Sequence, residues 1–132
     1  HFSHGGVESS LHMDAQNLTQ LARTAARLYN CTFFITGKID IVSDGKQTIL
    51  LSGGDPRLCR ITGGGCMLSA LCALFCCSGA SAFEAASTAG QLWKEISEEA
   101  GKRTDQNGGG IGQFHMSLMD MTEQKIYFSA YS

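Results

Sequence analysis

The sequence predicts an α/β fold. An amphipathic helical pattern runs straight into a short β-branched and aromatic stretch, Asp44-Gly45 marks a hairpin, and an almost wholly apolar segment follows three successive glycines. Residues 1–13 carry no clear period and include Gly5 and Gly6, so they read as a loop, or as a chain entered partway through a larger fold. Asp14 is an N-cap candidate for a helix whose apolar positions Leu18, Leu21, Ala22, Ala25, Leu28 and Tyr29 fall three and four apart, with Asn30 able to close it. Cys31 to Thr36, bounded by Gly37, suits a buried strand.

Lys38–Ser43 and Gln47–Ser52 read as extended arms on either side of Asp44-Gly45-Lys46, because glycine supplies the positive φ of a tight turn at little cost. Gly53, Gly54 and the lone Pro56 end that hairpin, and Leu58–Thr62 leads into Gly63-Gly64-Gly65. Cys66–Cys77 then predicts an apolar helix, all but fully buried. Ser81 with Glu84 forms a capping box for a further helix, with Phe83, Ala86, Ala89, Leu92, Trp93 and Ile96 on its apolar side. A glycine-rich loop over 101–112, a short helix over 113–121 and an extended tail over 123–132 complete the reading.

With 132 residues, 43% of them hydrophobic, the chain suits one domain with a real core. Ten basic against twelve acidic residues leave a net charge of −2, which gives no footprint for nucleic acid. The apolar run Leu71 to Cys77 is far short of the roughly 20 residues that cross a bilayer, and the opening residues show no signal-peptide pattern. The expectation is a soluble protein that binds neither nucleic acid nor membrane. Of six cysteines, Cys66, Cys72, Cys76 and Cys77 crowd one helical stretch where their side chains would mostly point apart, which argues against a disulfide framework. No C-x-x-C occurs, and the four histidines lack zinc spacing, so no metal ligands are assigned. Small, buried, reduced thiols are expected, which points to the cytoplasm.

Three glycines directly before a helix let backbone N–H groups approach an anion without Cβ interference, and the helix N-terminus adds positive partial charge. A tight turn into the helix would use the same residues, and glycine content alone does not choose between the two. No Lys-Ser or Lys-Thr follows, so the motif is no P-loop, and the spacing of a dinucleotide fingerprint is not met. Cys66 sits in the first turn after the glycines, where the dipole favours a thiolate; it is a candidate base or nucleophile, with small-residue packing as the alternative. Cys72, Cys76 and Cys77 read as core packing, and Trp93 as core or interface. Gly108-Gly109-Gly110 reads as a connection between helices in preference to a second anion-binding turn.

Ile35-Thr36-Gly37-Lys38-Ile39-Asp40 with Asp44-Gly45, then Ile61-Thr62-Gly63-Gly64-Gly65-Cys66-Met67-Leu68-Ser69-Ala70, then Phe83-Glu84-Ala85-Ala86, resemble the hydroxyethylthiazole kinase family, ribokinase-like enzymes of thiamine salvage. The resemblance runs from about Gly6 to Thr122. Cys66 stands where most ribokinase-like relatives carry aspartate. The resemblance implies a mostly parallel sheet flanked by helices, here the C-terminal half of the usual domain. It also implies ATP-dependent phosphorylation, with magnesium, of the primary alcohol of 4-methyl-5-(2-hydroxyethyl)thiazole. On this reading Gly63, Gly64 and Gly65 hold the transferring phosphoryl group and Gly63 also contacts the substrate. Cys66 occupies the place of the base, Thr36 contacts the nucleotide, and the hairpin 38–52 lies near it.

Glycine at position 64 departs from the threonine or alanine common in the family. The larger departure is length: the family's enzymes are about twice this size, and the N-terminal half holds a substrate-lining region, a nucleotide-contacting arginine and the acidic residues associated with magnesium. A fragment, a crystallised portion and one subunit of a split enzyme remain open explanations. The expected partners are the thiazole alcohol, the N-terminal half as a second chain or missing segment, and further copies in a homotrimer of complete units. The competing readings are a non-catalytic nucleotide-binding or assembly module of the same fold and a ribokinase-like kinase for another alcohol, such as a pyrimidine.

Overall fold

A computed structural model describes residues 7–131, with side chains described for 15–127. The element order is α1 (Val7–Tyr29), β1 (Phe33–Ile35), β2 (Asp40–Ser43), β3 (Thr48–Leu51), a 3₁₀ helix (Pro56–Arg60), α2 (Gly64–Cys77), α3 (Ala82–Gln106) and α4 (Ile111–Tyr131). Of the loop expected at 1–13, residues 1–6 lie outside the described residues. From Val7 the chain is helical, so Asp14 is not the cap: no glycine or proline interrupts 7–29, and helix propagation needs no other licence. The stop is where the sequence put it. Asn30 adopts a left-handed conformation (φ 52°), and Cys31 N–H donates to the Ala26 carbonyl at 3.1 Å, closing the helix in a Schellman turn. Among the described side chains of α1, Ala22 and Ala26 are fully buried, whereas Leu21, Leu28 and Tyr29 are exposed, contrary to the expectation that they form its buried face. Close packing of a helix on a sheet favours the small side chains.

The three strands form one sheet in the order β1-β2-β3, with Phe34 opposite Val42 and Val42 opposite Ile49. The α/β class holds, but both strand pairs are antiparallel where a mostly parallel sheet was expected. The links 36–39 and 44–47 are far too short for the crossover that parallel neighbours require. The hairpin turn is as expected: Lys46 and Gln47 N–H donate to Asp44 Oδ1 at 2.8 and 2.7 Å, and Gly45 has φ 92°. Central strand β2 is buried on both faces. Asp40 and Val42 face α3, while Ile41 and Ser43 alternate toward the side on which α1 packs.

Helix α3 is the hub. Leu68 and Leu71 from α2, Ala89, Trp93, Ile96 and Ala100 from α3, and Phe114, Leu118 and Met121 from α4 form the main core. The capping box is formed, Glu84 N–H donating to Ser81 Oγ and Ser81 N–H to Glu84 Oε2, each at 3.2 Å. The helix runs past Gly101, where a loop was expected, to Gln106. Gly101 is there because the Asp55 side chain lies against its Cα, and the helix ends only where Gly108 turns left-handed and Gly109 N–H reaches the Thr104 carbonyl. The extended tail at 123–132 is also corrected, since α4 is helical to Tyr131. Ile126 packs on the core and Lys125 reaches Glu99 at 3.6 Å, which hold that stretch against α3.

Helix α2 departs most from expectation. It forms over the apolar run, yet Leu68 and Leu71 are its buried residues, and Cys66, Leu74, Cys76 and Cys77 are exposed. Cys72 is half-buried, and burial pushes its thiol up, with Cys76 adding to the shift. The thiols are therefore unbridged but not core residues. One side of α2 suffices to pack on α3, and an apolar sequence does not by itself supply a second neighbour.

Candidate functional site

Gly63 is the N-cap of α2, with φ 89° and ψ 0°, a left-handed conformation that a side chain would strain. As glycine it offers no side-chain cap, so the helix opens bare. The first amide of α2 to meet a backbone acceptor is Met67 N–H, 3.0 Å from the Gly63 carbonyl. The amides of Gly64, Gly65 and Cys66 make no hydrogen bond to another described residue. These donors at the positive end of a helix are the arrangement that accepts an anion.

The glycines line a cleft of about 310 Å³, which Thr36, Gly37 and Asp40 close from the sheet side and Trp93 and Lys94 from α3. Tertiary structure thus brings Thr36 and all three glycines, 27 or more positions apart in sequence (63 − 36), to one concavity. Cys66 sits at the third position of α2, exposed and outside the residues lining this cleft. Among the described residues no group of three or more His, Cys, Asp or Glu side chains is placed to hold a metal ion.

Two features escaped the sequence reading. Lys94 Nζ lies 3.2 Å from Asp40 Oδ2, both side chains more than nine-tenths buried, in the wall of the cleft. Arg57 grips Asp55 through Nε and Nη2, each at 2.8 Å, reaches Asp105 at 2.9 Å, and so holds the segment leading into the glycines against α3. This guanidinium keeps the Asp55 carboxyl below its ordinary range. The available signal was a second stripe on α3, Gly90, Lys94, Ser97, Gly101 and Thr104, spaced three and four apart. It is polar or side-chain-free, as a solvated face would be, yet all five residues are buried, the first four against the sheet and the 53–57 segment. There, Gly54 N–H donates to Glu98 Oε1 and Asp55 N–H to Ser97 Oγ, each at 2.9 Å.

Comparison with known proteins bears on what this cleft serves. The model of the hydroxyethylthiazole kinase family matches residues 2–126. Hydroxyethylthiazole kinase of Clostridium botulinum (strain Eklund 17B / Type B) is 41% identical over 113 residues, covering 86% of this chain and 40% of that protein. The enzyme of the same name from Escherichia coli O6:K15:H31 (strain 536 / UPEC) is 32% identical over 110 residues, covering 83% and 42%. The solved structure of hydroxyethylthiazole kinase from Pyrococcus horikoshii OT3 superposes with a TM-score of 0.61 at 31% identity, over 85% of this chain and 42% of that one. The chain therefore spans about two fifths of the length of the curated relatives it matches.

Proposed function

This chain belongs to the hydroxyethylthiazole kinase family, and we propose that it supplies the phosphoryl-handling part of an ATP-dependent kinase. The acceptor is the primary alcohol of 4-methyl-5-(2-hydroxyethyl)thiazole, in thiamine salvage. The observation that carries the reading is the set of uncommitted amides at Gly64, Gly65 and Cys66, heading α2 at the edge of a cleft shared with Thr36.

Phosphoryl transfer asks a protein for positioning and charge stabilisation more than for covalent chemistry. Amides aimed where negative charge gathers on the equatorial oxygens stabilise the transition state without reorganising. Gly63, Gly64 and Gly65 hold the migrating group, Gly63 also meets the alcohol, and Thr36 contacts the nucleotide. As the alcohol oxygen bonds to phosphorus and the bond to ADP breaks, the hydroxyl proton must leave. Cys66 is in sequence position to receive it, although a thiol accepts a proton poorly unless ionised, so orienting the alcohol is its larger role. Magnesium accompanies ATP on this reading, and no step is assigned to it within this chain.

The complete unit includes the N-terminal portion of the family domain, as a second polypeptide or as the rest of this one, assembled as a homotrimer. Six unbridged cysteines suit the cytoplasm, and no described helix is long and apolar enough to cross a membrane.

Intact-mass analysis of the native protein, combined with thiazole-dependent ADP formation, tests the proposal. The 132-residue chain alone is expected to turn over little or not at all, and addition of the N-terminal portion to restore turnover. Normal turnover by the chain alone would overturn the need for that portion. A reconstituted unit that binds ATP but phosphorylates no thiazole alcohol would make this a non-catalytic nucleotide-binding module.

A further inference from the structure

The chemistry proposed above makes no use of the buried pair Asp40–Lys94. Two charges more than nine-tenths buried are a poor stability device, because desolvation offsets most of their attraction. What the pair does is connect. Asp40 Oδ1 accepts from Gly37 N–H at 3.0 Å, directly beside Thr36. Its other oxygen meets Lys94 on α3, and Lys94 Nζ donates in turn to the Gly53 carbonyl at 3.3 Å. Gly53 opens the segment that runs through the 3₁₀ helix to Gly63. The pair thus ties the end of β1 and the approach to the glycines to the same turn of α3, inside the wall of the cleft both line.

We propose that Asp40–Lys94 is a positioning pair that fixes Thr36–Gly37 against the glycine triplet and thereby governs nucleotide affinity more than the chemical step. The triplet amides are aimed by the geometry of α2 itself, whereas the β1 end relies on Asp40 for its place. The inference rests on the kinase reading for the identity of the nucleotide.

The test uses the complete kinase, with this chain joined by the N-terminal portion, and reads KM for ATP and for the thiazole alcohol, kcat, and calorimetric binding of a non-hydrolysable ATP analogue. Lys94→Met is expected to raise KM for ATP and weaken analogue binding about tenfold or more, with kcat within about threefold and the alcohol KM unmoved. Lys94→Arg keeps the charge and recovers most of the affinity. The double variant Asp40→Asn with Lys94→Met leaves no orphaned charge, so it recovers the melting temperature but not the affinity, and it carries the test if Lys94→Met alone fails to fold. A Lys94→Met or double variant that binds the analogue like wild type would reduce the pair to fold support, and a fall in kcat at constant KM would place its effect on the chemical step; either overturns the proposal. A wild-type unit that binds the analogue but does not phosphorylate the alcohol removes the kinase reading alone, and the affinity comparison still decides the role of the pair. Failure of wild type to bind the analogue overturns both.

Discussion

The Arg57 guanidinium lies 5.2 Å from the ring centroid of Phe114, a fully buried residue of α4. With its contacts to Asp55, Asp105 and the Gly101 carbonyl, this side chain clamps the approach to the glycine triplet onto the two C-terminal helices. A planar, delocalised cation can stack and bond in its own plane at once, which lysine cannot.

Arg57→Met is therefore expected to lower the melting temperature by several degrees at pH 7. The Asp55 carboxyl is held below its ordinary value of 3.8, chiefly by Arg57 hydrogen bonds. A depressed carboxylate contributes stability that is fully present above its unfolded pKa and lost as pH falls through the folded one. The gap between wild type and Arg57→Met should thus be full at neutral pH and narrow in acid as the Asp55 contribution is lost. Melting curves of the complete protein across pH 7 to about pH 3 check this; a gap independent of pH would contradict it.

Gly90→Ala sets helix propensity against space. Alanine gains about 1 kcal/mol in a helix interior, but a Cβ here would lie 2.6 Å from Leu51 Cδ1 and 2.9 Å from the Phe34 ring. Overpacking costs typically about 1–3 kcal/mol, so the net effect is destabilising or at best neutral. Urea denaturation gives the sign, and a clear gain in stability would show that the sheet can move off α3.

Gly65→Ala separates stability from chemistry. Nothing lies within 4 Å of a Cβ there, and the residue is helical, so the fold should be unharmed or slightly firmer. A methyl group among the amides should nevertheless obstruct the phosphoryl group and cut kcat about tenfold or more, within the range lost when one charge-stabilising donor is compromised. Gly63→Ala, at φ 89°, should lose stability as well by roughly 1–2 kcal/mol. Parallel melting curves and kinase assays distinguish the two variants; full activity in Gly65→Ala would remove the anion cradle.

Cys66→Asp should keep or raise kinase activity in the complete enzyme, because a carboxylate is ionised at neutral pH where an ordinary thiol largely is not. The exposed position in the first turn of α2 accommodates the charge, which the helix dipole favours. A folded, substrate-binding variant without turnover would count against a base at this position.

Features written in a few adjacent residues were legible from sequence. Asn30 ends α1, Asp44-Gly45 turns the hairpin, Ser81 and Glu84 box the start of α3, and the glycines head a helix. Each is a local contest between backbone conformations that the side chains present decide. The misreadings share a different cause. Cys66–Cys77 is apolar but half uncovered, Leu18, Leu21 and Leu28 of α1 lie outside while Ala22 and Ala26 lie inside, and Gly101 looked like a break but is a point of close approach.

From its own residues the chain determined where α1 stops, where α3 starts, where the hairpin turns and that bare amides head α2, because these follow from φ/ψ preferences and hydrogen bonds within a few positions. Only the packed structure decided that Thr36 joins those amides in one cleft and that Asp40 meets Lys94 behind it. Burial and charge pairing depend on which distant segment arrives as neighbour, and a polar stripe reads the same in sequence whether water or a sheet lies over it.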